Sequence, residues 1–390
     1  MLKKENEMKD QLFWNTFKPF IQQNWGKADF KQATSIQEQS IPLILEGKDV
    51  IAESPTGTGK TLAYLLPVLN KMDAESKNIQ AICLASSQEL VMQILAEVQK
   101  WGEGSGIRAA SFIGGANVKR QLEKLKKHPH LVICTPGRAL ELIKQKKLKM
   151  HEVKTVVLDE ADQLLVAEHI ESVRQIIKAT LKERQVVLFS ATLPKQTELI
   201  ANELVQDAEI IRIKKDKVIE AAEVEHIYFQ AEYRDKVKLL EPISRLKNAK
   251  ILVFVKDIGN LSVIHEKLTY KKIQTSILHS DLNKMERQKS LNDFREGKRN
   301  MLLATDVAAR GLDIQHITHV VHYDLATNQT QYIHRSGRTG RFGASGVVVS
   351  LVTEREEREL KQMAKKLNLN LSRKNFYQGE MVDYKIRTKK

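Results

Sequence analysis

The feature that most constrains the fold is an alternation, along the whole chain, of short apolar runs rich in β-forming residues with longer amphipathic segments. In the first half these runs lie at residues 49–52, 81–84, 131–134, 155–158 and 185–189. In the second half they lie at residues 227–229, 250–255, 275–278, 300–304, 319–322 and 346–351. Such alternation is typical of a parallel sheet flanked by helices. The sequence therefore predicts an α/β protein with a mostly parallel sheet in each half.

The length of 390 residues exceeds what a single hydrophobic core usually supports, so two domains are expected. A charged stretch without periodicity begins near Ile211, and we place a linker at residues 214–222. The expected organisation is an N-terminal segment over 1–40, a first domain over 41–213, a second over 223–373 and a short basic tail over 374–390. The tail is expected to be mobile, with simple disorder as the alternative.

Charge and cysteine content narrow the class of protein. Lys and Arg number 63 against 48 acidic residues, a net charge of +15, which favours a polyanionic partner over a merely soluble basic surface. Cys83 and Cys134 lie in apolar runs, without metal-ligand spacing, and are interpreted as reduced core residues of a cytoplasmic protein. The N-terminus is charged, and no run approaches the roughly 18 apolar residues of a membrane span.

A glycine-rich loop follows the apolar run at 50–53 and precedes an apolar segment of helical period at 62–69. Its residues are Ser54, Pro55, Thr56, Gly57, Thr58, Gly59, Lys60 and Thr61. Glycines let backbone N–H groups close around phosphate oxygens, while Lys60 adds a positive charge and the Thr61 hydroxyl is a magnesium ligand. The strict pattern has glycine at position 54. An ordinary glycine turn is the alternative.

About a hundred residues later, the apolar run at 155–158 stops on two adjacent carboxylates, Asp159 and Glu160. Alone, this pattern could be a strand that ends in an acidic turn. Together with the loop lysine it predicts nucleotide hydrolysis, in which Asp159 binds Mg²⁺ and Glu160 orients the attacking water.

The second half contains no second glycine loop with lysine, but residues 332–341 carry three arginines in a segment broken by glycines. Arg338 and Arg341 lie three residues apart and can point together. Planar guanidinium groups suit the charge of a phosphoryl-transfer transition state, so both are candidate arginine fingers. An exposed, salt-bridged turn is the alternative.

With these motifs the chain resembles the DEAD-box ATP-dependent RNA helicases. The resemblance covers residues 13 to 346, and the motifs occur in the family's order. Phe30, Thr34 and Gln37 match the adenine-recognising Q motif, and Phe13 is assigned as its upstream aromatic residue. The residues that match RNA-contacting motifs are Gly114, Gly115, Thr135, Gly137, Arg138, Arg287, Thr305 and Arg310. Asp313 matches a ribose contact. The residues that match segments coupling hydrolysis to unwinding are Asp162, Ser190, Thr192 and His334.

The resemblance implies two RecA-like domains that close on ATP, Mg²⁺ and single-stranded RNA and open short duplexes locally. The Gln37 amide can pair with the adenine edge. Hydroxyls and glycines bind phosphates without reading bases, so sequence-tolerant binding is expected. Small bacterial members of the family serve ribosome assembly, cold adaptation or RNA decay. The resemblance therefore implies ribosomal subunits or RNA-decay proteins as partners, and it implies that the protein is a monomer. Two alternatives stay open: an ATP-switched RNA clamp with little unwinding, and a DNA translocase.

Several positions depart from the family pattern. Ser86-Ser87-Gln88-Glu89-Leu90 stands where the family has Pro-Thr-Arg-Glu-Leu, Lys284 replaces a glutamine, and Ala33 replaces a proline. None of these changes touches the hydrolytic groups, but the first weakens the expected grip on RNA. From sequence alone, Ser190 to Thr192 could also be a polar strand cap, and Gly114-Gly115 a plain turn.

Overall fold

A computed structural model describes residues 14–28, 30, 32–115, 118–213, 224–309, 314, 316–340 and 344–384. The chain divides into two compact units, residues 1–215 and 216–390. The linker expected at 214–222 lies outside the described residues. Each unit contains a sheet flanked by helices, so the predicted α/β class with two mostly parallel sheets is confirmed.

The first unit contains a seven-stranded parallel sheet in the order β3-β4-β2-β5-β6-β1-β7. Its strands are β1 Val50–Glu53, β2 Ala81–Leu84, β3 Ala109–Phe112, β4 Leu131–Cys134, β5 Thr155–Asp159, β6 Gln185–Ser190 and β7 Glu209–Arg212. Its helices are α1 Pro19–Lys27, α2 Ser35–Leu45, α3 Lys60–Lys71, α4 Gln88–Trp101, α5 Val118–Lys126, α6 Pro136–Lys144, α7 Ala161–Leu164, α8 Ile170–Lys178 and α9 Lys195–Leu204.

The central strands of this sheet are apolar except at their ends, as expected of parallel strands that helices cover on both faces. Separate hydrophobic clusters lie on the two faces. The side chains of α1 and α2 belong to one of them, so the N-terminal segment packs into the first unit. The sheet order places the carboxyl ends of β2, β5, β6 and β1 side by side, and this edge is where open α/β sheets bind ligands.

The second unit contains an eight-stranded sheet in the order β10-β11-β9-β12-β13-β8-β14-β15, parallel except for its last pair. Its strands are β8 Val224–Gln230, β9 Ile251–Phe254, β10 Ser276–Leu278, β11 Met301–Ala304, β12 His319–His322, β13 Gly346–Val352, β14 Leu371–Tyr377 and β15 Glu380–Asp383. Its helices are α10 Lys236–Ser244, α11 Ile258–Tyr270, α12 Lys284–Arg295, α13 Asp306–Ala309, α14 Gln329–Ser336 and α15 Glu354–Leu367.

The C-terminal region differs from the mobile tail that we expected from residue 374. β14 pairs with β8 and then turns into β15, so residues 371–383 extend the sheet as a hairpin. The Phe376 ring stacks on Phe229 with centroids 4.9 Å apart, and the Lys374 ammonium lies 2.8 Å from the Asp383 carboxylate. These contacts offset the cost of ordering a polar strand that has no apolar periodicity.

Candidate active site

The glycine loop lies between β1 and α3 and wraps around the side chain of Lys60. The Lys60 Nζ donates to the carbonyl oxygens of Ser54 at 2.7 Å and Pro55 at 2.8 Å. Ser54 is fully buried, and its Oγ lies 2.7 Å from Thr58 Oγ1. The serine that departs from the strict pattern therefore helps to close the loop.

The start of α3 presents the backbone groups that an anion needs. Gly59 precedes the helix with a left-handed φ of 86°, and Gly57 has a φ of 79°. Such values are open to glycine without steric cost. Thr61 follows Lys60 in the first turn, where backbone N–H groups have no partner within the helix. The loop therefore has the backbone geometry of a phosphate-binding loop.

Asp159 ends β5 as a nearly inaccessible carboxylate, 4% exposed. Its Oδ2 accepts a hydrogen bond from the Tyr64 hydroxyl at 2.8 Å, and its Oδ1 accepts one from the Glu160 N–H at 2.9 Å. Burial, reinforced by the neighbouring Glu160 charge, raises the pKa of Asp159 to about 6. A cation bound here would stabilise the ionised form of this carboxylate.

Glu160 adopts a left-handed backbone conformation with φ 52°, which is uncommon for a residue with a β-carbon. Its Oε2 accepts a hydrogen bond of 2.9 Å from the hydroxyl of Ser86. Ser86 follows β2, the strand next to β5 in the sheet. The two adjacent carboxylates thus each accept a side-chain hydroxyl, Asp159 from Tyr64 and Glu160 from Ser86.

A short network joins Asp162, in the helix that follows these carboxylates, to the end of β6. The Thr192 Oγ1 donates to Asp162 Oδ2 at 2.6 Å, and the Asp162 N–H donates to Ser190 Oγ at 3.2 Å. The Ser190 carbonyl oxygen in turn accepts the backbone N–H of Ser54 at 3.0 Å. Asp162, Ser190 and Thr192, predicted as coupling residues, are therefore brought together and connected to the loop.

Gln37, predicted to read adenine, is only 3% exposed. Its Oε1 accepts the Thr34 N–H at 3.0 Å, and its Nε2 donates to the Gly59 carbonyl oxygen at 3.2 Å. A β-carbon at Gly59 would come within 2.5 Å of the Gln37 Nε2, so glycine is required there for this approach. Gln37 thus connects the start of α2 to the loop. Its amide oxygen and its amide nitrogen each keep one further hydrogen-bonding position.

Phe30, also predicted to lie near the base, packs in an aromatic cluster. Its ring stacks on Trp101 with centroids 6.0 Å apart and contacts Trp25 at 4.9 Å, and Phe30 remains 45% exposed. The packing fixes one face of the ring. Phe13 lies outside the described residues.

Comparison with known proteins shows which family the chain resembles. The family described as DEAD/DEAH box helicase matches residues 34–200, and the helicase conserved C-terminal domain matches residues 234–343. The chain is 55% identical over 369 residues to the probable ATP-dependent RNA helicase YfmL of Bacillus subtilis, covering 95% of this chain and 98% of the relative. It is 50% identical over 372 residues to the DEAD-box ATP-dependent RNA helicase CshC of Bacillus cereus, covering 95% of each.

The chain belongs to the DEAD-box family of ATP-dependent RNA helicases. Its fold is also similar to that of S. cerevisiae Dbp5 bound to RNA and ADP BeF3, with a TM-score of 0.84 and 32% identity over 92% of this chain and 93% of Dbp5. Both sheets are thus those of tandem RecA-like domains, as the sequence predicted.

Of the RNA-motif residues predicted in the first unit of this DEAD-box protein, Arg138 differs most from expectation. It is 7% exposed, its Nε donates to the Ile113 carbonyl oxygen at 3.2 Å, and its Nη1 lies 2.6 Å from Glu141 Oε2. The Gly114 carbonyl oxygen accepts a hydrogen bond from Gln88 Nε2 at 3.1 Å. Arg138 and Gln88 therefore support the turn at residues 113–114 from within the unit.

The other motif residues of the first unit lie on exposed turns or at a helix start. Gly115 has a left-handed φ of 69°, which favours glycine. Thr135 precedes α6, and Gly137 lies in its first turn, where nothing approaches within 4 Å of the position of a β-carbon. That open space leaves room for a nucleic-acid backbone to approach closely.

In the second unit, Arg335 joins two motif segments. This buried side chain donates from Nε and Nη2 to the Asp306 carboxylate at 2.7 and 2.6 Å, and from Nη1 to the Asp324 carbonyl oxygen at 2.6 Å. Thr305, next to Asp306, is 6% exposed, and Arg287 Nη2 donates to the backbone of α13 at 3.0 Å. The end of β11 and helix α14 are therefore held together.

The predicted arginine-finger segment is described only in part. His334 lies in α14, and Arg338 follows that helix with 9% exposure. Arg341, Arg310 and Asp313 lie outside the described residues.

Tyr64 and Ser86 are the site residues that our sequence reasoning missed. Tyr64 lies four residues after Lys60, one helical turn along α3, so helix periodicity next to the loop could have identified it. Ser86 occupies the position of a proline in the resembled pattern, and that departure was the available signal. The expectation that no departure touches the hydrolytic groups is therefore wrong at Ser86, whose hydroxyl contacts Glu160. Among the residues that the structure describes, no helix has the length and apolarity needed to cross a bilayer.

Proposed function

We propose that this DEAD-box helicase hydrolyses ATP at the carboxyl ends of β1, β5 and β6 and that RNA stimulates the reaction. The proposal is supported by one continuous arrangement: the Lys60 loop, the Asp159–Glu160 pair and the Ser190–Thr192 segment, with Ser54 bonded to Ser190. Phosphate binding, carboxylate chemistry and a coupling segment thus share one sheet edge.

The residues present fit Mg²⁺ as the metal. Asp159 and Thr61 supply hard oxygen ligands, and Asp159 is a buried carboxylate whose raised pKa makes a neighbouring cation favourable. Within the described ranges, no cluster of three or more His, Cys, Asp or Glu side chains could hold a metal by itself. Mg²⁺ binds through one or two carboxylates together with substrate phosphates, so Asp159 can serve as its carboxylate ligand, and the ion would neutralise phosphate charge when bound.

Different groups of the first unit bind the phosphates, activate the water and recognise the base. The first-turn N–H groups of α3 and the Lys60 ammonium bind the phosphates, for which Lys60 exchanges its two loop carbonyl partners for phosphate oxygens. Glu160 orients the attacking water and accepts its proton. The Gln37 amide uses its remaining hydrogen-bonding positions to recognise adenine, while its contact with Gly59 links base recognition to the phosphate loop.

We further propose that the second unit supplies groups to the same reaction. Arg338 and Arg341 neutralise charge on the transferred phosphoryl group, and Asp313 contacts the ribose. Thr305, Arg310 and Arg287 bind RNA in that unit, as Gly114, Gly115, Thr135 and Gly137 do in the first. Arg138 acts through the turn that it holds.

The test is to measure ATPase activity and strand release on the same preparation, with a short RNA duplex and a matched DNA duplex. We expect RNA to stimulate hydrolysis, DNA to stimulate it little, and the RNA duplex to separate only with ATP. Hydrolysis without strand release would favour the RNA-clamp alternative. Equal stimulation by DNA would favour a DNA translocase.

For the cellular substrate we propose structured RNA of the assembling ribosome. The support is the resemblance to small bacterial family members and the net charge of +15, which suits dense phosphate. Crosslinking of RNA to the protein in cells tests this. Enrichment of ribosomal RNA precursors is expected, and enrichment of messenger RNA decay fragments instead would redirect the proposal.

A further inference from the structure

We propose that Ser86 is a positioning residue for ATP hydrolysis: its hydroxyl holds the carboxylate of Glu160 in the orientation that water activation needs. The inference rests on the role proposed above for Glu160. It adds a residue that follows β2, the strand next to β5, at a position where the resembled pattern has proline, which has no hydroxyl to donate.

The contact follows from the sheet register. β2 and β5 are parallel neighbours in which Leu84 pairs with Leu158. Ser86 and Glu160 each lie two residues beyond this pair, on adjacent chain segments that leave the same edge of the sheet. The Ser86 hydroxyl donates to Glu160 Oε2 at 2.9 Å. In the part of the chain that the structure describes, this carboxylate is the side-chain partner of Ser86, and Oε1 of Glu160 accepts no hydrogen bond.

A single hydrogen bond at Oε2 is suited to positioning. The left-handed backbone of Glu160 fixes where its side chain starts, and the Ser86 hydroxyl fixes where one of its oxygens ends. Rotation of the carboxylate is then restricted while Oε1 stays available to a water proton. A hydrogen bond to an ionised acceptor is stronger than one between neutral groups, so it can select one side-chain orientation.

The same segment reaches the turn that we assign to RNA contact. Ser87 caps α4 by accepting the Leu90 N–H at 3.1 Å, and Gln88 donates to the Gly114 carbonyl oxygen at 3.1 Å. Three consecutive side chains therefore have three different partners. Ser86 contacts Glu160, the candidate general base; Ser87 caps the start of α4; and Gln88 contacts the candidate RNA-binding turn. Ser86 is the member that meets the hydrolytic group.

The first experiment compares wild type, Ser86→Ala and Ser86→Thr in the full-length chain, with kcat and the KM for ATP measured at saturating RNA. We expect Ser86→Ala to lower kcat about tenfold with the KM changed less than about twofold, since a charge-assisted hydrogen bond is lost only from the step that uses Glu160. Ser86→Thr keeps a hydroxyl and should restore kcat to within about threefold of wild type. A kcat for Ser86→Ala within about twofold of wild type, or a failure of threonine to rescue, would overturn the proposal.

The second experiment asks whether Ser86 acts through Glu160. Single-turnover hydrolysis is measured for Glu160→Gln and for the double variant Ser86→Ala/Glu160→Gln. We expect the serine change to slow the double variant by less than about twofold, because the group that it positions is already replaced. A further tenfold loss would show that Ser86 serves the fold of the site and would overturn the inference. Wild-type hydrolysis by Glu160→Gln alone would instead refute the proposed function.

Discussion

The buried carboxylate of Asp159, when ionised, makes the nucleotide-free protein less stable to unfolding than a neutral side chain would. Its pKa of about 6 lies above the ordinary 3.8, so this group stabilises the fold below pH 4 and loses that contribution as the pH rises through about 6. Each pKa unit corresponds to about 1.4 kcal/mol. The ionised Asp159 carboxylate therefore lowers the free energy of unfolding by at most about 3 kcal/mol at pH 8, and by about half of that at pH 5. Asp159→Asn keeps the shape and removes the charge. We therefore expect it to raise the unfolding temperature of the nucleotide-free protein at pH 8 by up to about 10 °C, while it abolishes hydrolysis.

Calorimetry of the full-length chain at pH 5 and pH 8 checks this prediction, using the transition that shifts when Mg²⁺ and nucleotide are added. Asp281→Asn, at an exposed carboxylate of the second unit, is the matched control and should change stability by less than about 0.5 kcal/mol. An unchanged or lower unfolding temperature for Asp159→Asn at pH 8 would refute the reasoning, as would an equal gain at both pH values.

Three further predictions concern contacts around the site and the C-terminal hairpin. Gln37→Ala should lower the free energy of unfolding by about 1 kcal/mol, because the hydrogen bond to Gly59 is lost, and should reduce the preference for ATP over GTP, because the amide that recognises adenine is removed; chemical denaturation and competition kinetics measure the two effects. Thr192→Val removes the 2.6 Å hydrogen bond to Asp162, and we expect strand release to slow about tenfold while RNA-stimulated ATPase stays within about threefold of wild type; parallel loss of both activities would contradict a coupling role. Phe376→Ala should destabilise the second unit by about 2 kcal/mol through loss of its aromatic stacking, seen in calorimetry as a lower unfolding temperature; no change would show that the hairpin adds no stability.

The sequence predicted the sheet class and the main strands because buried parallel strands must be apolar along their length. It also predicted that Lys60 stands where the glycine loop meets its helix and that Asp159 stands at the end of an apolar strand, since the loop and the carboxylate pair together indicate one kind of site. Periodicity did not identify β3, β7, β14 or β15. These strands lie at or near sheet edges, where a residue such as Arg212 faces solvent and the apolar signal is weak.

The direction in which a polar side chain points was harder to predict than its place in the chain. An arginine in an RNA-motif position has the same chemistry whether it meets a phosphate or a neighbouring carboxylate, and Arg138 contacts Glu141. Gln37 likewise uses part of its amide within the protein. Such pairings depend on long-range packing that short motifs do not encode, and Ser86 became visible only once the strand ends were placed side by side.

The central claim, that Glu160 activates water at a nucleotide site that also governs RNA binding, is tested most directly with Glu160→Gln. Single-turnover hydrolysis and ATP-dependent RNA affinity are measured on the same sample. We predict hydrolysis slowed at least about a hundredfold, as loss of a general base requires, with RNA held as tightly as by wild type bound to a non-hydrolysable ATP analogue. Hydrolysis near the wild-type rate, or loss of ATP-dependent RNA binding, would contradict the account.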